Sequence, residues 1–138
     1  ADYGFDTYST TIEMMRPFVE ANPEAVRCFV DGAALGWVNF LYGDNEAAIA
    51  RITEDNPDMT REQIDFSITM LKEYGIVDSG DALTMGIGAM TEERMTSFYD
   101  KMVAAGVIEA GLDFSQAYTL DFVNKGVGLE EKKALTGG

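Results

Sequence analysis

The stretch that decides the fold is NPEAVRCFVDGAALGWVNFLYG, residues 22–43. Asn22 and Pro23 form a helix start signal, because asparagine favours the N-cap and proline favours the first helical position. Glu24 adds a carboxylate at the positive end of the helix dipole. We expect a long helix that ends at Gly43. Its predicted core face follows a helical spacing through Val26, Phe29, Val30, Ala33, Trp37, Phe40 and Leu41.

Cys28, the single cysteine, lies within this apolar pattern, so we expect a buried and unreactive side chain. One cysteine cannot form an internal disulfide or a cysteine-based zinc site. The chain contains no histidine, which removes the commonest general base and the commonest metal ligand. These counts argue against an enzyme, a metal site or a cofactor.

Further start and stop signals predict shorter helices along the chain. A capping box, Thr60 followed by Gln63, predicts a helix with an apolar stripe at Ile64, Ile68 and Leu71. The other predicted helices are Pro17–Ala21, Glu46 to about Glu54, a helix capped by Thr91 with Met95, Phe98, Met102 and Val103 facing inward, and a short helix at about Ser115–Val123. From Gly75 to Met90 four glycines interrupt any helical period, and we expect an irregular segment there.

The two ends of the chain differ from this helical middle. The run from Phe5 to Ile12 is aromatic and β-branched, and it predicts a short strand. Such a strand needs a partner for its backbone groups, which either another chain or a missing part of this one would supply, so we expect this chain to be part of something larger. The charged tail after Gly128 is expected to fray. The predicted fold is thus mainly α with one or two short strands, in a single unit over residues 1–138, with a strand in 1–13, helices in 14–125 and a tail in 126–138.

The charge balance restricts the partners. Ten basic and 24 acidic residues give a net charge of −14, which repels nucleic acids and anionic membranes. Two apparent motifs fail on inspection. The segment Gly86–Thr91 lacks the third glycine of a dinucleotide fingerprint, and in Asp55–Asp58 a proline occupies a ligand position of an EF-hand loop.

The order of several segments resembles a known family. These are Tyr8–Ile12, Asn22–Val30 with Gly36 and Trp37, Asn56–Thr60, Gly86–Thr91, Met102–Gly106 and Gln116–Val123. Together they look like the C-terminal portion of the solute-binding proteins of ABC importers that bind thiamine-pyrimidine precursors, alkanesulfonates, nitrate and related solutes. The resemblance spans essentially the whole chain but only about half of the family's length.

The resemblance implies a partial lobe of a two-lobed α/β periplasmic-binding-protein fold of type II, with residues 1–13 as a strand next to the hinge. It implies a periplasmic or membrane-anchored extracytoplasmic location. The implied partners are a pyrimidine-, sulfonate- or nitrate-like solute and an ABC permease, and a homodimer of this portion is a further expectation. The residues with cleft contact would be Tyr8, Ser9, Thr10 and Thr11. Alternatively, these four residues only pair a strand.

Two other functions stay open at this point. The chain could be a free-standing acidic helical module that binds a protein partner. It could also be an accessory piece of an enzyme that makes a thiamine pyrimidine, although the absence of histidine argues against this.

Overall fold

A computed structural model describes residues 7–137 and shows a mainly helical chain. The helices are α1 (Arg16–Ala21), α2 (Pro23–Tyr42), α3 (Glu46–Asp55), α4 (Arg61–Glu73), α5 (Ala82–Met85), α6 (Glu92–Ala104), a 3₁₀ helix (Phe114–Ala117) and α7 (Leu129–Thr136). Residues 7–137 include no strand, so the predicted mainly-α class is confirmed. The strand predicted over Tyr8–Ile12 is wrong, because no other segment of the described chain pairs with it. The first residues of that run, Phe5 and Asp6, lie outside the described residues.

Helix α2 organises the fold, with α1 and α7 packed against it. Its buried residues are Val26, Ala34, Val38 and Leu41. The predicted core face is therefore wrong in part, because the burial follows Ala34 and Val38 instead of Ala33 and Trp37. Helix α7 covers that side of α2 from about ninety residues further along the chain, and no local spacing reveals such a contact.

Several α2 side chains that we predicted to be buried lie on the surface. Phe29 is 57% exposed and Trp37 is 40% exposed. Cys28 is also exposed, which corrects the expectation of a buried thiol. Cys28 and Phe29 point away from the line of burial through Ala34 and Val38, and Trp37 lies beside that line. The apolar pattern of α2 is therefore wider than the face that the chain itself covers.

Helices α3 and α4 pack together as a hairpin next to the end of α2. The core here consists of Leu41, Ile49, Ile64 and Ile68, as the apolar stripes of α3 and α4 predicted. The Thr60 capping box is confirmed: the Gln63 N–H donates to Thr60 Oγ1 over 3.3 Å, and the Thr60 N–H donates to Gln63 Oε1 over 2.8 Å. Two 2.8 Å hydrogen bonds join the Arg61 guanidinium to the Glu46 carboxylate and lower the pKa of Glu46.

The segment between α4 and α6 is less irregular than the glycines predicted, because it contains the short helix α5. Gly86 ends α5 with φ +93, a conformation that favours glycine. A Cβ at this position would lie 2.8 Å from the Val127 carbonyl oxygen. The close approach is fixed by a 2.9 Å hydrogen bond from the Gly126 N–H to the Met85 carbonyl. Gly86 thus lets the end of α5 meet the segment that leads into α7.

Helix α6 begins as predicted, with Thr91 Oγ1 accepting the Arg94 N–H over 3.3 Å. Its four inward-facing residues are half-buried rather than buried: Met95, Phe98, Met102 and Val103. The predicted helix at 115–123 is shorter than expected and is the 3₁₀ helix Phe114–Ala117. Helix α6 therefore lies on the outside of the core instead of within it.

The C-terminal segment does not fray. Residues Leu129–Thr136 form α7, which packs on α2 and α5. Gly128 precedes α7 with φ +86 and is buried, and a Cβ there would lie 2.8 Å from Val38 Cγ2. We expected fraying because the segment is charged. Residues 129–136 instead form a helix, because Gly128 allows the chain to approach α2 closely.

Candidate functional site

Tyr8 fixes the N-terminal extended segment to the start of α6. Its hydroxyl accepts the Thr91 N–H over 2.9 Å, and the Arg94 guanidinium lies 4.3 Å from the centre of its ring. Arg94 also donates to the Thr7 carbonyl over 3.1 Å. The ring of Tyr8 thereby gains a cation–π contact, and one lone pair of its hydroxyl is already used. Tyr8 has a structural role here, whatever else it contacts.

Ser9, Thr10 and Thr11 follow Tyr8 and are exposed. Within residues 7–137 their side chains form no hydrogen bond, in contrast to the hydroxyl of Tyr8. Each free hydroxyl can donate one hydrogen bond and accept two. The segment therefore presents three adjacent polar groups beside the start of α6.

Asn124 joins a second pair of distant segments. Its side-chain amide donates to the Met90 carbonyl over 2.7 Å and accepts the Met90 N–H over 3.0 Å, so one side chain satisfies both backbone groups of one residue. Asn124 has φ +62, which asparagine tolerates better than most residues. This clamp holds residues 120–124 against the residue that precedes the α6 cap.

A third contact closes the arrangement. The Arg16 guanidinium donates to the Gln116 carbonyl, which brings the start of α1 to the 3₁₀ helix. Three segments that are far apart in sequence thus converge: residues 7–16, 86–94 and 116–124. We call this arrangement the junction.

Sequence reasoning missed a polar cluster at another place, beneath α7. The carboxylate of Asp78 is 4% exposed, and its Oδ2 accepts a 2.8 Å hydrogen bond from the Tyr42 hydroxyl and lies 2.6 Å from Lys132 Nζ. Burial and the neighbouring Asp78 raise the pKa of Tyr42 to about 12. Lys72 and Lys132 lie 5.2 and 5.3 Å from the centre of the Tyr42 ring.

This cluster joins α2, α7 and the segment after α4, and it pairs the Tyr42 hydroxyl and the Lys132 ammonium with Oδ2 of Asp78. It fastens the C-terminal helix rather than presenting a reactive group. No pattern could have revealed it, because Tyr42, Asp78 and Lys132 share no sequence motif.

The described residues enclose no deep cavity. A shallow groove of about 300 Å³ is lined by Ala33, Gly36, Trp37, Phe40 and Ile52, and a second open depression of about 370 Å³ lies on α7. Residues 7–137 contain no group of acidic residues and cysteine suited to a metal ion. No helix in this range has the length and apolar character needed to cross a lipid bilayer.

Comparisons with protein-family models, with curated proteins and with solved structures found no match.

Proposed function

We propose that this chain is the C-terminal portion of a small-solute-binding receptor of an ABC importer and that it carries part of the ligand cleft at the junction. One observation supports this most. The junction brings together three segments that carry the resemblance, although up to about a hundred residues separate them in the chain. On this proposal the protein is a receptor without catalytic activity, and it acts in the periplasm.

The chemistry of the junction suits a small polar solute. Ser9, Thr10 and Thr11 offer exposed hydroxyls, and the aromatic ring of Tyr8 lies beside them. Arg16 and Arg94, two of only ten basic side chains, also lie at the junction. Their positive charge offsets the strongly acidic surface at this point. The ligand class that fits is pyrimidine-, sulfonate- or nitrate-like, with an ABC permease as the protein partner.

A cleft formed between two lobes obtains contacts from both. Loss of three decades of affinity, from micromolar to millimolar, takes about 4 kcal/mol. Two or three hydrogen bonds to charged groups, at about 1.5–3 kcal/mol each, supply this difference. We therefore expect the chain alone to bind its solute with a Kd of about 1 mM.

Two-dimensional NMR titration with a pyrimidine, an alkanesulfonate and nitrate tests this proposal. We expect saturable shifts in Tyr8–Thr11 and Thr91, and none in Glu130 or Lys133 on α7. Thr10→Ala should weaken the binding. Tyr8→Phe removes the hydroxyl that accepts the Thr91 N–H but keeps the aromatic ring. It therefore separates contact between the ring and the solute from the structural hydrogen bond. The absence of saturable shifts in residues 7–13 with all three solutes would refute the proposal.

One observation favours the second candidate, an acidic helical module that binds a protein. Helix α2 exposes aromatic and small side chains on a face without charge, as a protein-binding helix does. The NMR titration distinguishes the two functions, because only a solute receptor responds to a small solute.

A further inference from the structure

Helix α7 covers part of α2 without being buried itself. Ala34 and Val38 lie on the side of α2 that α7 covers, and they are 7% and 3% exposed. In α7 itself, Leu129 and Lys132 are half-buried and the other six residues are exposed. A helix that belongs to a core normally buries an apolar stripe of its own. The burial at this contact is therefore gained by α2, and α7 lies over α2 as a cover.

Helix α7 is attached at its start and through one charged side chain. At the start, Gly128 packs against Val38. Further along, Lys132 Nζ lies 2.6 Å from Asp78 Oδ2, and this carboxylate is 4% exposed. Among residues 130–136, Lys132 is half-buried and the others are exposed. The ion pair with Asp78 is therefore the main attachment of the body of α7.

The segment that leads into α7 has the backbone of a pivot. Asn124, Gly126 and Gly128 have φ of +62, +69 and +86. Glycine passes between positive and negative φ at low cost, and residues at the ends of helices absorb the rotation when a segment swings. The Asn124 side chain is fixed by its two hydrogen bonds to Met90. A swing of α7 is therefore confined to residues 125–128.

The main apolar core does not include α7. Its buried members, Leu41, Ile49, Ile64 and Ile68, come from α2, α3 and α4. Lifting α7 would uncover the side of α2 at Val38 and the Asp78 carboxylate, but it would leave the contacts among these four side chains intact. Partial opening of this kind takes less free energy than unfolding of the whole chain.

We propose that α7 is a strap that swings open as one unit about residues 125–128 while α2, α3 and α4 stay folded, and that the ion pair of Lys132 with Asp78 sets how often it is closed. In the closed state the ammonium compensates a carboxylate that is almost without solvent, and in the open state water does so. Any change that neutralises Lys132 therefore shifts the strap toward the open state. This inference goes beyond the solute-receptor proposal and does not rest on it.

Thiol labelling of the whole chain measures the open state. In a Cys28→Ser, Val38→Cys double variant the single thiol lies beneath α7, where the native side chain is 3% exposed. We expect a thiol reagent to label it at least about tenfold faster than the unfolded fraction from urea denaturation allows. Adding Lys132→Met should raise the labelling rate about thirtyfold, because the Asp78 carboxylate loses its cation. Lys133→Met is the matched control, since Lys133 is exposed, and it should leave the rate unchanged.

A mild core variant separates opening of the strap from unfolding. Ile64 is 4% exposed and keeps its core contacts whether α7 is closed or open. Ile64→Val should therefore raise the unfolded fraction about fivefold and leave the labelling rate unchanged. Labelling that is no faster than unfolding allows, labelling that rises in step with Ile64→Val, or a rate that Lys132→Met does not change would each overturn the inference. The solute titration is independent of all three outcomes, so the two proposals fail separately.

Discussion

The segment from α2 to α5 and the segment from Met90 to Val127 are held together by different forces. Among residues 7–137, the nine buried apolar residues all lie from Val26 to Ala89, and residues 90–127 contain no buried residue. The second segment instead depends on contacts such as the Asn124 clamp and the Tyr99 hydroxyl, which accepts the Leu112 N–H over 3.0 Å. Burial of four large aliphatic side chains contributes about 6–12 kcal/mol gross, whereas each polar contact contributes about 1 kcal/mol.

The comparison shows that apolar burial stabilises the first segment, whereas individual polar contacts hold the second segment in place. The first segment should unfold as one cooperative unit, because Leu41, Ile49, Ile64 and Ile68 from α2, α3 and α4 share one core. The second should open locally, since each of its contacts breaks without exposing the core. The junction joins residues 7–16 to the second segment, so a solute bound there would order the looser segment.

The largest expected effect comes from the core of the first segment. Leu41 is 2% exposed, and Leu41→Ala should lower the free energy of unfolding by about 3–5 kcal/mol, because it leaves a cavity. Met102→Ala in α6 should cost only about 1 kcal/mol, since Met102 is half-buried. Urea denaturation of the two variants measures both effects. Equal losses would show that half-buried Met102 contributes as much to stability as the buried core does, which would contradict the comparison.

The next effect concerns the fastening of α7. Lys132→Met leaves the carboxylate of Asp78 without its cation, and we expect a loss of about 2–3 kcal/mol, below the cost for a fully buried pair because Lys132 is partly exposed. Faster hydrogen exchange should appear in α7 first. Lys133→Met is the matched control, because Lys133 lies next to Lys132 but is exposed and forms no ion pair within the described residues. If the two variants were equally stable, the Asp78 cluster would not hold α7.

A smaller and local effect tests the looser segment. Asn124→Gly keeps the positive φ and removes both hydrogen bonds to Met90, at a cost of about 1–2 kcal/mol. Hydrogen exchange should accelerate at Met90 and Thr91 while Ile64 and Ile68 keep their protection. Asn124→Asp should be intermediate, because it retains an acceptor for the Met90 N–H. Loss of protection across α4 would contradict the independence of the two segments.

The smallest effect appears only at alkaline pH. An unfolded tyrosine has a pKa near 10.0, and Tyr42 in the folded chain has a pKa of about 12. Between these values the unfolded state has lost a proton that the folded state keeps, so stability is complete below pH 10 and falls as the pH rises toward 12. Denaturation midpoints across this range should fall less steeply for Tyr42→Phe than for the unmodified chain. An identical slope would show that Tyr42 does not cause the loss of stability at alkaline pH. Tyr74→Phe serves as the control, because Tyr74 is exposed.

The sequence predicted the helices well because their signals are local. The Thr60 capping box, the Thr91 cap and the stripe through Ile64 and Ile68 are all present as expected. Contacts between distant segments were not predictable in the same way. The burial of Ala34 instead of Ala33 depends on α7, and α7 depends on how closely Gly128 can approach Val38.

The candidate site shows the same limit. The sequence singled out Tyr8 as a residue with a role, but it gave no sign that Thr91 would occupy its hydroxyl. The sequence revealed neither the Asn124 clamp nor the Asp78 cluster. In both, the partner of the polar side chain is distant in the chain, and periodicity cannot identify such a partner. Ser9, Thr10 and Thr11 are exposed, and the NMR titration tests their proposed contact with the solute.

The packing of α7 on α2 also governs when the protein can finish folding. During synthesis the ribosome completes α2 long before it releases residues 129–136, so the side of α2 at Ala34 and Val38 stays open to solvent until then. Closing a loop of some ninety residues costs roughly 4 kcal/mol of chain entropy. The nascent chain therefore carries uncovered apolar surface while residues 43–128 are translated, and it depends on α7 to arrive before a chaperone or another nascent chain binds that surface.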